Sequence, residues 1–323
     1  MARLITLGFD DPNEGGFLSG GVITPNGTSV GAESPGVLLI TSAGSTSRFS
    51  VPNPTEIYMA GTFKCGTPSS ELELFTLLGP EIYFKITTAN KLTIYRSATL
   101  LFTSTATIAP NTIHHLEVHL LPRNSGGQVT VKIDGTQVAD YSGDTVYNYE
   151  SVTRIDLYAP SANTWWDNVV VNDTSGTTNN SWPGQVRLIR LAPRSPGDQT
   201  QLTRTGYDLG SNFAQVRDND GNATTGIEGN LNDTDLYRVD QLAIPTASTI
   251  NGIIVQTIGK STSGTGKIAP VVKSGTSQAQ GADITLATAG TLNQYVLPTD
   301  PATGTAWTAN AINNMQVGIK VRS

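Results

Sequence analysis

Residues 114–142, HHLEVHLLPRNSGGQVTVKIDGTQVADYS, alternate apolar and polar positions, break at a glycine-bearing turn, alternate again and break at Asp-Gly. Such a run buries its apolar residues best as extended strands, because a strand sends successive side chains to opposite faces. Leu116, Val118 and Leu120 share one face, Asn124 to Gly127 turns the chain, and Val129, Val131 and Ile133 resume the alternation. Asp134 and Gly135 suit the two positive backbone angles of a tight hairpin turn, whose twist matches that of its flanking strands. The stretch reads as a three-strand meander.

The same period runs through EIYMAGTFKC, SELELFTLL, EIYFKIT and NKLTIYRS, all from Glu56 onward, and through SVTRIDLYA and WWDNVVVND. Polar or Gly/Pro breaks separate them, as turns do. With 33 Gly and 17 Pro among abundant Thr, Ser and Asn, the chain favours short strands over helices. The first half is expected to form an antiparallel sandwich of ten or more strands. TSGTTNNSWPG then lacks any periodicity and reads as a linker. Beyond it QVRLIRLAP, DTDLYRVDQLAI, TINGIIVQTIGKST, GKIAPVVKSG, ADITLAT, NQYVLPT and NMQVGIKVRS are strand candidates. One helix signal stands out: Thr308 as N-cap with Ala309 to Asn314 behind it. A chain of 323 residues has room for two cores. The expected architecture is all-β with two domains: a sandwich over 1–173, a linker over 174–183 and a smaller β-sandwich or barrel over 184–323.

Charged residues make up 14% and the net charge is −6 with no basic block, so counterion-release binding of nucleic acid is not expected. The start reaches acidic residues too soon for a signal peptide, and no window is apolar enough for membrane insertion. The expected product is soluble and made in the cytoplasm. Cys65 is alone, has no basic activating cluster near it in sequence and reads as a small apolar filler.

Several constellations bear on chemistry. His115, Glu117 and His119 share a strand face, but histidines four apart on a strand lie about 13 Å from each other, too far to hold one zinc ion without a third element. They read as a solvent-facing strand, with His114 on the apolar face beside Leu116. Asp10 and Asp11, with Asp167 and Asn168, lie in the first and last strands of the sandwich, which are often neighbours; together they offer the hard oxygen ligands that calcium takes. Capping of strand ends is the alternative. Asp218, Asp220 and Asn222 around Gly221 depart from the calcium-loop order and read as a turn. The glycosylation tripeptides at Asn26, Asn172, Asn179, Asn222 and Asn232 are what an Asn- and Thr-rich chain produces by chance. Glu71 and Glu73 have the spacing of a glycosidase pair, as does any strand face with alternating Glu. No nucleophile motif is present, GTGK at Gly264 is too short for a phosphate loop, and no catalytic residue is assigned. Trp165 and Trp166 are the ligand candidates: adjacent strand residues face opposite ways, so one can be core while the other stacks on a sugar ring.

Taken together, GFDD, TIHHLEVHLLPRNSGGQVTVKIDGTQVADYSGDT, RIDLYAP and WWDNVVVNDTSGTTNNSWPGQVRLIRLAPRSPGD resemble the concanavalin A-like, laminin-G-like jelly rolls of tailed-bacteriophage structural proteins. YDLGSNFAQVRDNDG, LYRVDQLAIP and LPTDPATGTAWTANAINNMQVGIKV resemble the β domain that follows in the same proteins. The resemblance implies a virion component of the capsid surface or tail, with other virion proteins as partners and a symmetric homo-oligomer as its state. Such jelly rolls often carry two acidic residues where this chain has Asp167 then Asn168, a departure that weakens the calcium expectation. The alternative is a lectin for host-surface glycans, since jelly rolls host many functions.

Overall fold

The computed structural model describes residues 3–7, 22–25, 36–40, 46–159, 164–217, 225–245, 248–261 and 265–323. The chain divides into two compact units, Met1–Arg190 and Leu191–Ser323, and its described residues are all-β apart from two helices of six residues each.

In the first unit the strands are β1 (Arg3–Leu7), β2 (Val22–Pro25), β3 (Gly36–Ile40), β4 (Thr46–Ser50), β5 (Ile57–Lys64), β6 (Leu72–Leu78), β7 (Ile82–Ile86), β8 (Lys91–Arg96), β9 (Thr99–Thr107), β10 (His114–Leu121), β11 (Gly127–Ile133), β12 (Thr136–Gly143), β13 (Arg154–Tyr158) and β14 (Thr164–Asp173). They form two antiparallel sheets. One runs β12-β11-β10-β5-β14-β3-β2 with β1 also on β14, and the other runs β4-β13-β6-β7-β8-β9. The expected meander is β10-β11-β12, and its turn residues Asp134 and Gly135 both have positive φ, 51° and 77°.

One shared core joins the inner faces of the two sheets. Phe75 and Phe84 stack at 4.0 Å on the six-stranded side, while Trp166 from β14 meets Phe63 at 5.5 Å and the edge of Phe75 at 6.2 Å. Gly61, on the strand beside Trp166, keeps clear of Val169: a Cβ there would stand 3.2 Å from Val169 Cγ2 and in ordinary contact, 3.7 Å, with the indole.

Residues 174–190 belong to the first unit, which moves the boundary beyond the linker expected at 174–183. Side chains of β14, β5, β10 and β11 tie this segment down. Asn172 Nδ2 donates to Ser181 O at 2.9 Å, Gly184 N to Glu117 Oε1 at 2.9 Å and Leu188 N to Asn168 Oδ1 at 2.8 Å. No strand forms over 185–192 where QVRLIRLAP suggested one; pairing resumes at Pro193.

The second unit holds β15 (Pro193–Thr200), β16 (Thr203–Gly206), α1 (Asn212–Arg217), β17 (Thr225–Glu228), β18 (Thr234–Val239), β19 (Ile253–Gly259), β20 (Lys267–Ser274), β21 (Ser277–Gln280), β22 (Ile284–Thr285), β23 (Thr291–Leu297), α2 (Ala309–Asn314) and β24 (Gln316–Val321). Its main sheet runs β15-β18-β24-β20-β21 with β22 on β20, and β16-β17 and β19-β23 pair separately. Thr308 caps α2 as expected, its hydroxyl accepting from Ala311 N at 3.1 Å. Asp235, fully buried, accepts from Gln201 N, Leu202 N, Asn212 Nδ2 and the Tyr237 hydroxyl. Four donors satisfy a charge that would otherwise be costly to bury.

Trp166→Ala would leave a cavity between the sheets. We expect a loss of about 3–5 kcal/mol of unfolding free energy, read from the urea midpoint of the first unit; an unchanged midpoint would contradict this packing.

Candidate functional site

The outer face of the six-stranded sheet is set by its inner one. On β7, Ile82, Phe84 and Ile86 are buried and send Tyr83 and Lys85 outward. In register beside them stand Tyr95 and Thr93 of β8 and Thr76 and Glu73 of β6, then Asp156 of β13 and Arg48 of β4. A bulge between Glu73 and Phe75 lets Glu71 and Glu73 reach the same area. Both line a cleft of about 240 Å³ with Leu72, Lys85, Tyr158 and Ala159.

Carboxylates hold two tyrosines of this face. The Tyr95 hydroxyl donates to Glu71 Oε2 at 3.0 Å, Thr93 Oγ1 to Glu71 Oε1 at 2.6 Å and the Tyr83 hydroxyl to Glu81 Oε2 at 2.6 Å. The Tyr158 hydroxyl lies beside Glu73 and Thr76. Burial, and then the neighbouring carboxylates, raise all three phenols above their ordinary value, so they remain O–H donors. Their rings are thereby oriented before any ligand arrives.

Lys85 is held differently. Its Nζ lies 4.7 Å from the centroid of Tyr95 and 5.9 Å from that of Tyr83, and it takes part in none of the ion pairs found among the described residues. Ring quadrupoles attract the ammonium without using its N–H donors. The nearby guanidiniums are occupied: Arg154 Nε and Nη2 grip Asp156 at 2.7 and 3.0 Å, and Arg48 Nε reaches the same carboxylate at 3.4 Å. On the floor between them, the buried Thr76 hydroxyl has no hydrogen-bond partner of ordinary geometry.

The outer face of the eight-stranded sheet is covered instead. His115, Glu117 and His119 do share one face of β10, but they are only 6–8% exposed, against the solvent-facing strand expected of them. Trp182 lies edge-on to His119 and Tyr58 and under Lys132, whose Nζ is 3.7 Å from its ring centroid. His119 stacks on Tyr58 at 4.5 Å and meets Glu56 Oε1 at 2.9 Å. Both ring nitrogens of His115 are buried without a hydrogen bond of ordinary geometry, and the ring lies beside Gly184. His114 points inward, bridging Asp134 Oδ2 at 2.7 Å and Ala109 O at 2.9 Å against Phe63.

Of the ligand candidates, Trp166 is fully buried in the core and Trp165 is half-buried. Trp166 is corrected to a packing residue: its parity on β14 sends it between the sheets. Asp10 and Asp11 lie outside the described residues, as do Asp218, Asp220, Asn222 and Gly264. Asp167 and Asn168 form a β-bulge on β14: Asn168 takes φ of 52°, and its N–H donates to Asp167 Oδ1 at 2.7 Å. Asn tolerates that conformation where most residues do not. Asp167 Oδ1 thus accepts from the next residue's N–H, and Asn168 Oδ1 accepts from Leu188 N. Among the described residues no three His, Cys, Asp or Glu side chains cluster as metal ligands would.

Tyr83, Lys85, Tyr95 and Tyr158 were not among the sequence candidates. Their signal was present in EIYFKIT, KLTIYRS and RIDLYAP, where the polar half of the alternation carries aromatic rings and a lysine.

No protein-family description matches this sequence, and no curated protein matches it. Similar solved structures include a protein of unknown function with a galectin-like fold from Bacillus subtilis, 11% identical over 53% of this chain and 96% of the other, with a TM-score of 0.39. A carbohydrate-binding module from Bacillus subtilis is 9% identical over 49% and 96%, with a TM-score of 0.33. An alginate lyase is 16% identical over 43% and 82%, with a TM-score of 0.34.

Burial lowers His115 below its ordinary value, so the folded protein takes up this proton less readily than the unfolded chain, whose histidine titrates near 6.5. Its contribution is full above that pH and is lost as pH falls below it. A urea midpoint lower at about pH 5.5 than at about pH 7.5, with the gap narrowed in His115→Leu, is expected; a gap untouched by the substitution would contradict it.

Proposed function

We propose that this protein binds carbohydrate through the outer face of its six-stranded sheet. The observation that carries the proposal is the cleft lined by Glu71, Glu73, Lys85 and Tyr158, with Tyr95 bonded to Glu71 and its ring facing Lys85 beside it. Sugar rings present apolar C–H faces that suit aromatic side chains, and hydroxyls that both donate and accept. The ligand site thus moves from the tryptophan pair to the tyrosine face.

Binding without cleavage is the activity proposed. Glycoside hydrolysis needs one carboxyl to act as a proton donor. Here Glu71 instead accepts from the Thr93 and Tyr95 hydroxyls, which use it to orient the face. The setting proposed is the virion surface implied by the resemblance to phage structural proteins, with host-surface glycan as the ligand. Gold-labelled antibody at regular sites on purified particles would support that setting, and bare particles would contradict it.

Tyr95→Ala removes a ring and unpins Glu71 while sparing the core. We expect about tenfold weaker glycan retention in affinity electrophoresis, equivalent to about 1.4 kcal/mol, with no new reducing ends from either protein. Undiminished retention would move the site elsewhere.

A further inference from the structure

Resting on the carbohydrate reading, we infer that the cleft selects neutral glycans over uronate-bearing and amine-bearing ones, and that Lys85 is the donor that sets this choice. Charge arithmetic at the cleft carries the argument. Two carboxylates, Glu71 and Glu73, and one ammonium, Lys85, line the same space. A sugar carboxylate approaching Lys85 therefore enters beside two like charges. The guanidiniums that could have received it bidentately, Arg48 and Arg154, share Asp156 instead. The chain's net charge of −6 adds repulsion toward any polyanion.

A cationic amino sugar meets the opposite obstacle. Glu71 and Glu73 would attract it, but Lys85 lines the same cleft and repels it, and its N–H donors need lone pairs. Neutral hydroxyls satisfy both demands at once. Each can donate to a carboxylate oxygen and accept from the ammonium, and neither partner has to give up the bonds that orient it. Lys85 is suited to this because Tyr83 and Tyr95 hold it by their ring faces, which leaves its donors for a ligand. A cleft of about 240 Å³ lies below the range of about 300–1,000 Å³ that encloses drug-sized molecules, so it suits a single sugar ring of a longer chain.

The test is affinity electrophoresis of the full chain through gels holding galactomannan, xyloglucan, polygalacturonate or chitosan, at low and high salt, for the native protein and Lys85→Met. Among the described residues Lys85 has no ion-pair partner to orphan, and thermal melting checks that the variant folds. The expected result is retardation by a neutral polysaccharide that changes by less than about twofold between 0.05 and 0.5 M salt, since no net charge is exchanged, and about tenfold weaker retardation of Lys85→Met. Retardation chiefly by polygalacturonate or chitosan, abolished by salt, would overturn the neutral selection while leaving carbohydrate binding intact. Neutral binding untouched in a folded Lys85→Met would overturn the role of Lys85. No retardation by any of the four would overturn the carbohydrate reading itself and this inference with it.

Discussion

A strand cannot choose the chemistry of its two faces independently of its register, and this constraint organises the first unit. Burying Ile82, Phe84 and Ile86 against the opposite sheet commits Tyr83 and Lys85 to the outer face. The stacked Phe75–Phe84 pair fixes β6 against β7, and with it the bulge that swings Glu71 and Glu73 over the same ground. A one-residue slip would put every apolar residue of β7 outside and every polar one in the core. Core and candidate site are thus two consequences of one pairing.

The two sheets differ in what lies on their outer faces. On the eight-stranded sheet, residues after β14 return across β10 and β5, and Trp182 closes over Tyr58 and His119 with Lys132 above it. Polar groups are abundant there, yet they face other protein groups: Glu117 meets Gly184, Asn168 meets Leu188 and Asn172 meets Ser181. On the six-stranded sheet, Glu71, Glu73, Lys85 and Tyr158 border open cleft, with the Tyr83 and Tyr95 rings against Lys85. Function is therefore assigned to the second face, where oriented groups still have capacity to bond.

Much of this fold was legible before any coordinates. Alternation in EIYFKIT and QVTVKI gave β7 and β11, the Asp134-Gly135 pair gave the hairpin, and Thr308 gave the cap of α2. What alternation could not convey was which polar face would be covered. The segment 174–183 has no periodicity because its bonds run to side chains of other strands rather than to a neighbouring strand, so it read as a linker. Trp165 and Trp166 drew attention as large aromatic rings, but parity and the bulge at Asn168 decide which way each points, and a bulge leaves no clear mark in sequence. Glu71 and Glu73 stand out as a pair, whereas Tyr95, which donates to Glu71, lies 24 residues further on and meets it only through sheet pairing.

The most direct test of the central claim is hydroxyl-radical footprinting of the tyrosines with and without a retained oligosaccharide. The account predicts protection of Tyr83, Tyr95 and Tyr158, with unchanged oxidation of the exposed Tyr147 and Tyr149. Protection at Tyr147 and Tyr149 instead, or at no tyrosine of the six-stranded sheet, would contradict it.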